Sequence, residues 1–190
     1  RNAGTIGGNT CNGVTSADSA STLHAWEAMV EITGKNGVRR VPIKDFYLKA
    51  GTVDLRVEEG EIQTAILIPK ASYDRTFGHY IKYAMRNAMD IATLGTSVNA
   101  RLSEDKKDLR PGADRLRRGG ARPYACASRR GVYQRQARDA GEHRGFGKAV
   151  LEDIHPRDSW RASKAFRSHI AVESAKRCLM ESVKLAGGEL

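Results

Sequence analysis

Arg1-Asn2-Ala3-Gly4-Thr5-Ile6-Gly7-Gly8-Asn9 opens the chain, and this stretch decides its fold. Three glycines, one threonine and two asparagines leave little side-chain bulk. Without a Cβ, glycine lets the backbone approach a ligand closely, and successive free N–H groups in such a turn form an anion-attracting concavity. The stretch therefore reads as a loop made to hold phosphate. The bland alternative, from the glycines alone, is a poorly ordered terminus. An opening Arg in place of Met suggests a fragment or a processed product.

The 190 residues suffice for one ordinary domain or two small ones with a sizeable core. No apolar run reaches the ~20 residues a membrane helix needs, and no secretory leader is visible. Neither a membrane partner nor export is expected. Cys11, Cys126 and Cys178 are widely spaced and odd in number, which speaks against a disulfide framework and a cysteine-held metal site. A cytoplasmic location follows as the expectation. The net charge of +10 is concentrated: residues 109–146 hold ten arginines against Asp114, Asp139 and Glu142, a local +7.

Beyond the glycine stretch, Ser16-Ala17-Asp18-Ser19 reads as loop leading into a short helix or turn, with Ser or Asp available as cap. Leu23 to Ile32 is apolar and tolerates a strand. Gly34-Lys35-Asn36-Gly37 followed by alternating Val38–Ile43 predicts a hairpin. Asp45-Phe46-Tyr47 is a short helical turn, and Glu61–Ile68 a strand stopped by Pro69. Strands are expected over His79–Arg86 and Ala92–Leu102. After Leu109 neither a 2- nor a 3.6-residue period persists. Lys148 to Ile154 can be helical. Ser163 to Ala186 predicts a long helix with Ala165, Val172, Leu179, Val183 and Ala186 on one face, closed by Gly187-Gly188.

The opening motif with Ser16-Ala17-Asp18-Ser19 resembles the FAD-binding subunit, or middle domain, of the molybdenum hydroxylases. The likeness runs on through Arg40-Val41-Pro42-Ile43-x-x-Phe46, Glu61-Ile62 and Ile68-Pro69. It continues through Lys82-Tyr83-Ala84-Met85-Arg86-x-Ala88-Met89-Asp90-Ile91-Ala92, then resumes at His155-Pro156-Arg157-x-Ser159-Trp160-Arg161-Ala162-Ser163-Lys164-x-Phe166-Arg167. Coverage is about residues 1–109 and 147–190. The Lys82–Ala92 and Arg157–Arg167 stretches look most like the bacterial xanthine dehydrogenase FAD subunit. The resemblance implies an α+β fold: residues 1–75 as the second lobe of a two-lobed FAD-binding domain, and 76–190 as a small α+β C-terminal domain. A first lobe with its own glycine loop would precede residue 1.

The same resemblance implies an FAD-dependent oxidoreductase subunit that relays electrons from iron–sulfur clusters through FAD to NAD. Its partners would be a molybdenum-cofactor subunit and an iron–sulfur subunit, with the substrate bound on the partner. Gly4, Thr5, Ile6, Gly7 and Gly8 would meet FAD's phosphates or ribityl chain, and Asn9 would brace the turn or reach the flavin. Asp18 matches a carboxylate at the sugar or adenine side, Ile62 or Gln63 a strand position lining the adenine pocket, and Lys82 a basic residue near the cofactor. The competing role of Asp18 is a helix cap; that of Lys82, a solvated strand lysine; that of Ile62, a core residue. Cys11 reads as a small buried side chain, and His155 as structural. The residues suggest no triad, metal cage or acid–base pair for substrate chemistry.

The arginine-rich 110–146 segment departs from the family. A reading-frame shift between about residues 110 and 146 is one explanation, a disordered insertion another. A basic nucleic-acid-binding module without cofactor is the rival function. It is disfavoured because only Tyr124 and Tyr133 are there to stack on bases.

Overall fold

The computed structural model describes residues 3–88, 90–104, 116–118, 125–127, 150–152 and 154–188. Much of the arginine-rich segment, and with it the expected frame shift or insertion, lies outside the described residues. So does Lys148.

The glycine stretch is not a loop. Ile6–Cys11 forms a short helix, α1, because Thr5 caps it: the Gly8 N–H donates to Thr5 Oγ1 at 3.0 Å. Gly7 and Gly8 have ordinary negative φ inside this helix. The Thr10 hydroxyl donates back to the Ile6 carbonyl at 2.7 Å. Helix α2 spans Asp18–Ala25. Its N-cap is Ala17, with no side-chain cap bond, so neither Ser16 nor Asp18 caps it. Leu23 to Ala25 belongs to this helix rather than to a strand; Glu27 then takes a left-handed turn (φ 51°) and starts the sheet.

The hairpin forms as expected. Strands β1 (Met29–Gly34) and β2 (Gly37–Pro42) pair antiparallel with Gly34 opposite Gly37, and Gly37 takes φ +102° at the turn. The helical turn after it, α3 (Ile43–Phe46), sits two residues earlier than expected, and Tyr47 instead opens β3 (Tyr47–Lys49), which pairs with β4 (Thr52–Val53). Strand β5 (Ile62–Leu67) completes a three-stranded sheet in the order β2-β1-β5. Val30, Ile32, Ile43 and Phe46 are almost wholly buried with Ala20 and Leu23 of α2. Full burial of each large apolar side chain contributes ~1.5–3 kcal/mol, which fixes the hairpin and α2 against each other.

After the short α4 (Lys70–Tyr73), β6 (Phe77–Tyr83) and β7 (Leu94–Ala100) pair antiparallel, with Lys82 opposite Gly95 and Tyr80 opposite Ser97. Two three-residue strands follow where the sequence showed no period: β8 (Leu116–Arg118) pairs with β7, and β9 (Ala125–Ala127) with β8. Of the helical stretch expected over Lys148–Ile154, the described residues form a 3-10 turn, Val150–Glu152.

Helix α5, Lys164–Leu185, begins where expected, with the Phe166 N–H donating to Ser163 Oγ at 3.2 Å. It covers one face of β6 and β7, while α2 lies against the other. Its buried stripe differs from the expected one. Leu179 and Val183 are core, but Ala165 is exposed and Val172 and Ala186 are half-buried. Ala171, Ser174, Ala175, Cys178 and Ser182 fill the rest. Small polar groups can be buried there because backbone carbonyls accept from them: Ser182 Oγ lies 2.8 Å from Val98 O and 2.7 Å from Cys178 O. Lys176 reaches Glu173 Oε1 at 2.5 Å.

Candidate functional site

Three tethers hold the expected cofactor residues along one seam. The Ser19 N–H and hydroxyl both donate to Asn9 Oδ1, at 3.0 and 2.5 Å, tying α1 to the start of α2. The Cys11 thiol donates to Gln63 Oε1 at 3.0 Å, tying α1 to β5. Lys82 Nζ pairs with Asp18 Oδ2 at 2.8 Å, tying α2 to β6. Gly7 also faces this strand: a Cβ placed there would stand 3.8 Å from Gln63 Nε2. Asn9 thus links α1 to α2. Cys11 is half-buried, and burial pushes its thiol above the usual range.

Ile62 is the exception. Alternation along β5 turns it away from the face on which Gln63 meets α1, and it is 66% exposed, so it is not the core residue considered from sequence. Lys82 is no free strand lysine, because it has the Asp18 carboxylate.

The start of α1 remains open. Nothing lies within 4 Å of a Cβ built at Gly4. The first N–H groups of any helix lack intrahelical acceptors, and here Thr5 Oγ1 satisfies only that of Gly8. The N–H groups of Ile6 and Gly7 therefore point from a bulk-free surface, an arrangement that suits phosphate. With Gln63, Asp18 and Lys82 beside it, the seam offers amide, carboxylate and ammonium groups to an extended, hydroxyl-bearing molecule. FAD fits such a donor set.

A second feature escaped sequence reasoning. A cleft of about 450 Å³ opens between Thr15-Ser16-Ala17, Ser21, Tyr80, the Ile91–Gly95 segment and the start of α5, where Arg157 and Arg161 of the preceding turn and Arg167 of the helix line it. Arg167 is anchored: Nη2 donates to Ser159 Oγ at 2.7 Å and Nη1 to the Thr93 carbonyl. Burial first, then the charges of Arg157 and Arg161, lowers its pKa. Burial also pushes the Tyr80 hydroxyl up to about 12, with help from the Asp18 charge, so it stays protonated. His155 is exposed and borders the cleft. The signal available was the spacing of arginines at 157, 161 and 167 within a stretch already singled out for its family likeness.

Among the described residues no group of three or more His, Cys, Asp or Glu side chains is placed to hold a metal. No described helix is long and apolar enough to cross a membrane.

This mixed α/β architecture is that of an FAD-binding flavoprotein component. Residues 1–71 match the FAD binding domain in molybdopterin dehydrogenase, and residues 79–182 the CO dehydrogenase flavoprotein C-terminal domain. The chain belongs to that flavoprotein family, and FAD is its cofactor. It is 39% identical over 193 residues to the putative xanthine dehydrogenase FAD-binding subunit of Escherichia coli strain K12, an alignment covering 100% of this chain and 64% of that protein. It is 34% identical over 103 residues to the carbon monoxide dehydrogenase medium chain of Afipia carboxidovorans, covering 54% of this chain and 34% of that one. Among solved structures, a carbon monoxide dehydrogenase from Hydrogenophaga pseudoflava superposes with a TM-score of 0.84 at 25% identity, over 98% of this chain and 62% of that one. Quinoline 2-oxidoreductase from Pseudomonas putida 86 shares the fold, with a TM-score of 0.83 at 20% identity over 97% of this chain and 62% of that one. The chain thus spans just under two thirds of the length of the Escherichia coli relative and of the two solved chains.

Proposed function

We propose that this chain binds FAD as one subunit of a cytoplasmic, xanthine dehydrogenase-like molybdenum hydroxylase. It would work beside a molybdenum-cofactor subunit and an iron–sulfur subunit, with NAD as the terminal electron acceptor. The observation that carries this reading is the seam itself, where α1, Gln63 and the Asp18–Lys82 pair lie side by side. When bound, FAD supplies the redox chemistry, and the protein supplies binding and orientation.

In this reading Gly4, Thr5, Ile6, Gly7 and Gly8 give the diphosphate close access to backbone N–H groups. Asn9 holds α1 against α2, so that the helix start keeps its aim. Asp18 takes a ribose or adenine group, and Lys82 neutralises both that carboxylate and the nearby phosphate charge. Gln63 meets the adenine side, and the exposed Ile62 offers an apolar edge to it.

The test is to co-express the chain with the molybdenum and iron–sulfur subunits of its complex, purify the assembly, and quantify FAD released on denaturation. About one FAD per chain is expected, as for a single specific site. An assembled complex without flavin overturns the reading. Reduction of NAD by the flavin-loaded complex tests the acceptor assignment separately.

A further inference from the structure

The cleft beside α5 has the composition of an anion site and holds none of the residues assigned to FAD. Among the described residues three arginines and one histidine line it, and no carboxylate does. Asp158, between the arginines in sequence, turns instead to the Lys164 N–H at the start of α5, at 2.6 Å. Arg157 and Arg161 make no ion pair among the described residues; Arg161 lies over the Trp160 ring at 4.3 Å, which holds its guanidinium plane in place.

Three buried polar atoms on the lining residues have no hydrogen-bond partner among the described residues: Tyr80 Oη, Thr93 Oγ1 and Arg167 Nε. Thr93 is only 4% exposed. Buried polar groups are rarely left unsatisfied, so three on one cavity point to an occupant that satisfies them. Gly95 keeps the space open, since a Cβ there would lie 3.2 Å from Tyr80 Oη and 3.5 Å from Ser21 Oγ. A volume of about 450 Å³ suits a small molecule of nucleotide size or less.

We propose that this cleft is a second ligand site, taking a phosphate-bearing small molecule. Its phosphoryl oxygens are held by Arg157, Arg161 and Arg167 Nε, and its hydroxyl or carbonyl groups by Thr93 and Tyr80. Guanidinium groups bind phosphate through paired, charge-assisted hydrogen bonds, and the buried hydroxyls select against a bare apolar guest. The site stands independently of the acceptor assigned above.

Isothermal titration of the 190-residue chain with inorganic phosphate, pyrophosphate and AMP, at low ionic strength, tests this. Saturable one-to-one binding of at least one of them is expected. Arg157→Ala/Arg161→Ala should weaken it ten-fold or more, whereas Lys70→Ala/Lys184→Ala, which removes two exposed charges elsewhere, should change it less than two-fold. Thr93→Val, which keeps the side chain's shape, should weaken AMP several-fold if the ligand is a nucleotide, and circular dichroism checks that each variant is folded. Tighter binding of AMP than of pyrophosphate assigns a nucleotide; equal or tighter binding of pyrophosphate assigns a free oxyanion. Absence of saturable binding by the folded chain overturns the proposal, as does equal loss in the two double variants.

Discussion

Lys82 Nζ and Asp18 Oδ2 meet at 2.8 Å across 64 residues of sequence, joining the edge of one sheet to the first turn of a helix packed beside the other. The side chains remain 32% and 51% exposed. A pair this wet contributes ~0–1 kcal/mol to stability, so it accounts for little of how the two parts of the chain are held together. In the proposed reading the pair serves FAD binding instead.

Lys82→Ala should therefore leave the thermal midpoint nearly unchanged while lowering FAD affinity ~10-fold, equivalent to about 1.4 kcal/mol. The charge-swapped chain, Asp18→Lys/Lys82→Asp, separates structure from binding. If the pair served only the fold, the swap would restore everything. If each residue meets its own part of FAD, the swap restores the ion pair and leaves binding impaired. Flavin fluorescence quenching on titration reads the difference.

Arg39 defines a second electrostatic centre at the edge of the hairpin. Its Nε and Nη2 donate to Glu61 Oε1 and Oε2, both at 2.8 Å, and Nη1 to Asp54 Oδ2 at 2.8 Å. The Glu61 carboxylate also accepts the Arg56 N–H at 2.8 Å. These bonds, the Arg39 fork first, lower the Glu61 pKa from 4.5 to about 2. The unfolded carboxyl takes its proton near its ordinary value, whereas the folded one resists until about pH 2. Stability from this contact is thus fully present above about pH 4.5 and is lost as pH falls towards 2. Melting curves across that window should show a drop that Glu61→Gln flattens; an identical pH slope in the variant would refute the assignment.

The hairpin at Gly34–Gly37, the long helix from Ser163 and the strand pair ahead of residue 102 were all legible in the sequence, because period and turn chemistry agree there. The glycine stretch misled for a physical reason. Glycine weakens helix propensity, yet a Thr5 cap and the Thr10 hydroxyl stabilise one short turn that propensity alone disfavours. The stripe on α5 was misjudged because apolar spacing cannot foresee serines satisfied by neighbouring carbonyls. The family's ordered motifs singled out the residues of the seam, but no local pattern could reveal that Asp18 and Lys82 meet. The cleft was illegible too, since it needs Tyr80, Thr93 and Arg167 brought together from three separate elements.

Gly78 shows how tightly the two parts of the chain meet. Asn99, 3% exposed on β7, donates from Nδ2 to the Ala25 carbonyl at the end of α2, at 2.9 Å. Gly78 lies opposite Asn99 in the register of β6 and β7. A Cβ at Gly78 would fall well inside contact distance of Asn99 Oδ1 and 3.2 Å from Trp26 Cζ2. Its φ is ordinary, so the constraint is space, not backbone strain. Gly78→Ala must then push Asn99 away, and the Ala25 carbonyl loses its donor. Overpacking of this kind costs ~1–3 kcal/mol, and the orphaned carbonyl adds to it. Asn99→Ala removes the same bond while relieving the crowding, so Gly78→Ala/Asn99→Ala should be more stable than the sum of the two single effects predicts. Urea denaturation of the four chains measures that coupling. Strictly additive losses would mean that Gly78 and Asn99 do not compete for one space.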